Sequence, residues 1–128
     1  MKPMRGAPLL RAIAEAARDK KADDIMILNL SRESGIADWF IICQGDNVQH
    51  NRAIADNIQA ELLKRGVSPW HTEGIRGSAS GSAVGAWIVM DFSDVIVHIM
   101  TPQVRDYYRL EELWSPIDIL DVENKSHE

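Results

Sequence analysis

Asp91 and Asp94 are the carboxylates with which this chain would have to hold a pair of divalent metals for phosphoryl transfer. A shared metal site on one strand needs Asp-x-Asp, because only residues two apart point to the same face. Three apart across a turn, Asp91 and Asp94 miss that spacing. The earlier Gly45-Asp46 turn adds a carboxylate where a triphosphate would need donors. In Gly77-Ser78-Ala79-Ser80-Gly81 the central residue is alanine, so there is no nucleophile elbow, and the Lys-Ser/Thr end of a phosphate loop is missing. His71 and His98 would meet only across neighbouring strands, and without a spaced third ligand they read as a packed or surface pair rather than a zinc site. Cys43, the one cysteine, lies in an apolar run with no activating base nearby and reads as a buried, reduced thiol. No metal and no cofactor is expected.

The residues point instead to binding. Along residues 86 to 91, strand alternation puts Trp87, Val89 and Asp91 on one face and Ile88 and Met90 on the other. Both faces are apolar enough that the pattern alone admits either orientation. With Ile88 and Met90 inward, a tryptophan and a carboxylate look out together, a rigid apolar anchor with an acid beside it to meet Arg or Lys. Trp87→Ala should then weaken partner binding by roughly 2 kcal/mol and spare the fold. In the reverse orientation Trp87 is core.

The periodicity supplies the elements that position these groups. Leu9, Leu10, Ile13, Ala14 and Ala17 recur at helical spacing behind Pro8, which predicts an amphipathic helix over residues 8 to about 21 with Lys20 and Lys21 at its negative end. Residues 24–30 and 39–43 read as two adjacent strands around a turn at 31–35. Asp46, with Gln49 three residues on, is a candidate N-cap for a helix whose Ile54, Ala55, Ile58 and Leu62 form one stripe ending at Lys64-Arg65-Gly66. Residues 67–73 suit only an edge strand, because Pro69 has no N–H to donate. Residues 74–85, rich in Gly, Ser and Ala, read as a mobile hairpin loop. Residues 86–91 and Val95–Met100 make a tight hairpin, and Thr101-Pro102 opens a last helix carrying Val104, Tyr107, Tyr108, Leu110, Leu113 and Trp114 that stops before Pro116. The order α-β-β-α-β-β-β-α predicts one α/β domain over residues 1–128, a mixed five-stranded sheet with flanking helices.

Composition agrees with one small domain: 128 residues, 45% hydrophobic, suffice for one core. Residues 1–105 hold 12 acidic and 12 basic side chains, whereas residues 106–128 hold 7 acidic and 2 basic, so the net charge of −5 sits at the carboxyl end. No stripe of Lys and Arg is present to release counterions from a phosphate backbone, so sequence-specific nucleic-acid binding is not expected, and a basic protein is the expected first contact. The longest uncharged apolar runs, at 86–90 and 95–97, fall far short of the roughly 20 residues that cross a bilayer, so no membrane association is expected. Arg11 and Glu15 interrupt the apolar core that a secretory signal would need, and the cytoplasm is the expected location.

Residues 22–30, 38–45, 87–100 and 105–114, in this order and spacing, resemble the Iojap or ribosomal silencing factor family over about residues 8–115, leaving 116–128 as an acidic tail. Trp87, Asp91, the stretch from Asp94 to His98, Arg105, Tyr108, Leu110-Glu111 and Leu113-Trp114 carry the resemblance. It implies a nucleotidyltransferase-like α/β fold without catalytic residues. It also implies a translational repressor that binds the large ribosomal subunit through ribosomal protein uL14 and sterically blocks joining of the small subunit when nutrients are scarce. Residue by residue, it places Trp87, Val89, Asp91, Asp94, His98, Arg105, Tyr107 and Tyr108 at or near the partner surface. The free protein is expected to be a monomer or a weak homodimer. Two other functions stay open at this point, a general protein-interaction module and a residual nucleotidyltransferase. Arg105 reads equally well as an internal partner of Asp91 or Asp94, and Leu110, Leu113 and Trp114 as the core face of their helix. Residues 76–85 are an insertion where relatives pass from the Glu-Gly pair, here Glu73-Gly74, to the tryptophan strand in a few residues.

Overall fold

The computed structural model of the protein describes residues 4–30, 37–74, 85–113 and 115–117. The chain runs α1 (Gly6–Asp19), β1 (Asp23–Asn29), β2 (Trp39–Gln44), α2 (Val48–Leu63), β3 (His71–Glu73), β4 (Trp87–Asp91), β5 (Val95–Met100), α3 (Pro102–Tyr108), a 3-10 turn (Leu110–Glu112) and β6 (Ser115–Ile117). The strands form one mixed sheet in the order β3-β4-β5-β2-β1-β6, with β2 parallel to β5 and the other described pairs antiparallel.

Both long helices lie on one face of this sheet because each presents one apolar stripe. Leu9, Leu10 and Ile13 of α1 and Ile54, Ile58 and Leu62 of α2 are buried against Ile41, Cys43, Ile88, Met90, Val95, Val97 and Ile99. At about 1.5–3 kcal/mol for each fully buried large aliphatic side chain, this layer is the main source of stability. The opposite face carries Leu28, Phe40, Ile42 and Met100, which are also buried, with Val104, Tyr108 and Leu110 of α3 and the 3-10 turn packed against them, whereas its β4 end is half-buried.

Three expectations need correction. The sheet has six strands rather than five, because Ser115–Ile117, including the first residues of the expected tail, pairs antiparallel with β1. Without it β1 would present an open edge, and a proline is tolerated on the edge strand that covers it. The last helix stops at Tyr108 and does not reach residue 114: Arg109 turns left-handed (φ 48°), its N–H closes the helix on the Arg105 carbonyl, and the 3-10 turn redirects the chain. The cap of α2 is Asn47, not Asp46. Asn47 Oδ1 accepts from the His50 N–H at 2.8 Å, and His50, in place of Gln49, reaches back so that its Nδ1 accepts from the Asp46 N–H at 2.9 Å. The turn at 31–35 and the loop within 75–84 lie outside the described residues.

Other expectations hold. β1 and β2 are adjacent, β3 is an edge strand, and Phe92-Ser93-Asp94 closes a tight β4–β5 hairpin with Ser93 at φ 76°. Gly45 follows β2 where a Cβ would collide with the Asn51 side chain and lie 2.9 Å from the Asn51 nitrogen. Asn51, fully buried, donates through Nδ2 to the carbonyls of Gly85 and Ala86, which ties α2 to the entry of β4.

Candidate functional site

The alternation of β4 settles the orientation of its faces. Ile88 and Met90 are fully buried beneath the helices, whereas Trp87, Val89 and Asp91 are half-buried on the opposite face. Trp87 is therefore not the bare anchor that the outward reading expects, because part of its ring packs into the second apolar layer.

An aromatic row crosses that face. On parallel β2 and β5, Ile42 stands opposite His98 and Phe40 opposite Ile96, while on antiparallel β4 Val89 stands opposite His98 and Trp87 opposite Met100. Phe40 and Trp87 thus flank His98 diagonally, within reach of large side chains. The Phe40 and His98 rings meet edge-on with centres 4.5 Å apart, and the Trp87 and Tyr108 rings lie 4.6 Å apart. Tyr107 continues the row, 5.0 Å from Tyr108 and 78% exposed. The Trp87 Nε1–H donates to His98 Nδ1 at 3.0 Å, so the other nitrogen, Nε2, carries the proton of the neutral imidazole. Burial lowers the His98 pKa to about 4.

Arg105 is 5% exposed and works from below. It does not pair with Asp91 or Asp94. Its Nη1 donates to the Asp24 carbonyl at 2.8 Å, and its Nε donates to Glu111 Oε1 at 3.4 Å. The Asp24 carbonyl is available because β1 bulges between Asp23 and Met26 with Asp24 at φ 50°. Arg105 thereby fastens α3 and the 3-10 turn to β1. Nearby Cys43 is buried and free; burial pushes its thiol up to about 12 against a smaller opposing pull from the Arg105 guanidinium. Such a thiol is inert as a nucleophile.

The expected site residues separate into groups. Trp87, Val89 and Asp91 share the β4 face, and Tyr108 and Tyr107 join it from α3. His98 and Arg105 lie beneath the surface as supports. Asp94 falls elsewhere: it lines a depression of about 280 Å³ with Met4, Arg5, Trp70 and Phe92 at the hairpin turn. Asp91 bonds into the same turn, its Oδ1 accepting from the Ser93 N–H at 2.8 Å. His71 and His98 do not meet; His71 lies opposite Asp91 and bonds Glu73 Oε1 at 2.6 Å. Among the described residues no three His, Cys, Asp or Glu side chains are grouped to hold a metal ion, and no helix is long and apolar enough to cross a membrane.

Sequence reasoning missed Phe40, Glu111 and Asp24 as parts of this arrangement. A signal was present for Phe40: a lone histidine inside Val95–Met100 needs neighbours on its own face, and alternation in β2 offers Phe40 and Ile42. It also missed Trp70, 83% exposed beside the β3 edge.

A second depression, about 390 Å³, lies where parallel β2 and β5 end and α2 and α3 begin, lined by Asp46, Asn47, Val48, Ala86, Thr101, Gln103 and Val104. Two of its polar side chains, Asn47 and Thr101, are engaged as caps of their helices, and Asp46 adds a negative charge.

A family model described as ribosomal silencing factor during starvation matches residues 3–128. The ribosomal silencing factor of Bacillus subtilis (strain 168) is 32% identical over 120 residues, covering 94% of this chain and 96% of that protein. A Mus musculus protein named for mitochondrial assembly of the ribosomal large subunit is 27% identical over 100 residues, covering 77% of this chain and 41% of that one. A crystal structure of a Chromobacterium violaceum protein matches with a TM-score of 0.77 at 33% identity over 90% of each chain.

Proposed function

The chain belongs to the ribosomal silencing factor family, and from that membership we propose that it is a translational repressor that binds the large ribosomal subunit, through ribosomal protein uL14, and sterically blocks joining of the small subunit under nutrient limitation. The observation that carries the reading is the half-buried β4 end of the sheet face, where Trp87, Val89, Asp91, Tyr108 and Tyr107 combine aromatic area with a carboxylate. Such a surface suits a partner that brings an apolar patch rimmed by Lys or Arg. The mouse relative's name, which ties that protein to assembly of a ribosomal large subunit, supports the large subunit as the partner.

Repression in this reading is exclusion, without a catalytic step or a cofactor. The depression at the ends of β2 and β5, where a nucleotidyltransferase-like fold would receive a nucleotide, offers helix caps already engaged and the Asp46 carboxylate, which disfavours a triphosphate. An interface of ordinary size buries about 800 Å² on each partner, an area that the β4 face and α3 can supply together. The acidic carboxyl end favours a basic protein and discourages contact with bare RNA phosphates. In solution the protein is a monomer or weak homodimer of the cytoplasm.

Co-sedimentation of the purified protein with isolated large and small ribosomal subunits tests the reading. Selective association with large subunits is expected, and absence of association from about 0.05 to 0.5 M salt would overturn it.

A further inference from the structure

His98 is a costly residue to bury where it lies. It is 7% exposed between Phe40 and Trp87, and its protonated nitrogen, Nε2, finds no hydrogen-bond partner among the described residues. A buried donor left without a partner is unfavourable, and a leucine or phenylalanine would fill the same space without that penalty. What the imidazole supplies and an apolar side chain does not is an acceptor at Nδ1, and that acceptor is used: it takes the indole N–H of Trp87 at 3.0 Å. A half-buried indole needs such a partner for its one donor.

We propose that His98 is the positioning residue of the docking surface, holding the Trp87 ring in one orientation against Tyr108 so that the partner meets a preorganised aromatic face in which the indole N–H is already engaged. This rests on the proposed role of the β4 face in binding the large subunit. Two contacts fix the ring, the bond to His98 on β5 and the packing against Tyr108 on α3 with centres 4.6 Å apart. Rotation about the side-chain torsions of Trp87 would break both. A tryptophan locked before binding loses less conformational freedom on docking, and that gain appears as affinity. Burial lowers the pKa of His98 to about 4, so Nδ1 remains an acceptor at neutral pH. The partner chemistry follows: Trp87 takes an aliphatic or cationic side chain over its ring rather than a hydrogen bond to its nitrogen.

Two substitutions separate positioning from packing. His98→Asn places Oδ1 where Nδ1 stood and keeps the acceptor; His98→Leu keeps apolar bulk and removes it. In the 15N-labelled full-length chain, with the Trp87 indole signal assigned by its loss in Trp87→Phe, that N–H is expected to be protected from exchange in the wild type and in His98→Asn and to lose protection in His98→Leu. Affinity for purified large ribosomal subunits is expected to fall about tenfold in His98→Leu and to be retained within about threefold in His98→Asn. Folding of each variant is read from the unchanged amide spectrum. Folded His98→Leu that binds like the wild type, or His98→Asn as impaired as His98→Leu, would overturn the positioning role alone. Wild-type protein that does not bind large subunits would overturn it together with the ribosomal reading.

Discussion

Tyr107 is held edge-on against Tyr108 while remaining 78% exposed, so it offers a partner aromatic area that the core does not use. Tyr107→Ala is therefore expected to weaken binding to large subunits by about tenfold or more, with the melting temperature shifted by no more than about 2 °C. A large fall in melting temperature would place Tyr107 in the structural layer instead. Trp87→Ala is a poorer probe, because it removes packing as well as contact area. His98 links the same surface to pH. Its pKa is about 4 in the folded chain against the ordinary 6.5, so the unfolded chain binds more protons between those values and stability falls as pH falls. The contribution is fully present above about pH 6.5 and lost on passing through pH 4, on the order of 3 kcal/mol in all. Urea titrations of wild type and His98→Asn from pH 7 to pH 4 check this: the variant should lose less stability over that interval, and parallel curves would contradict it. Which β4 residues share a face was legible in the sequence from alternation, but not which face turns inward, because both are apolar. The partners of Arg105 were not, since its choice of Glu111 and the Asp24 carbonyl over Asp91 and Asp94 depends on a β1 bulge and a left-handed Arg109 that no local pattern announces.

Among the elements, the junction of β2 and α2 depends on one close approach. Gly45 leaves no room for a side chain against Asn51, and Asn51 in turn holds the carbonyls that lead into β4. Gly45→Ala should shift the start of α2 and destabilise the chain by roughly 2 kcal/mol or more, read as a lower urea midpoint with an unchanged slope. An unchanged midpoint would mean that the turn yields without effect. Long elements with strong periodicity were readable: the stripe of α2 contains the residues the spacing selects, and the Val95–Met100 strand keeps its expected bounds. The end of α3 was not. Leu110 and Leu113 continue a helical pattern beyond the point where the chain turns at Arg109, and pairing of Ser115–Ile117 with β1 is a long-range contact that local spacing does not encode.

At the scale of the whole molecule, two helices cover one face of the sheet, the β4 end of the other face is half-buried, and the acidic excess collects at the carboxyl end. In the proposed reading, this half-buried aromatic β4 end covers a surface that another body must occupy. The most direct measurement of that claim is subunit joining itself. Purified small subunits are added to large subunits preincubated with increasing amounts of the protein, and joined ribosomes are quantified by sedimentation. Joined ribosomes are expected to fall in proportion to large subunits occupied, and Tyr107→Ala is expected to need about tenfold more protein for the same effect. Large subunits that carry the protein and still join small subunits at the normal level would contradict it.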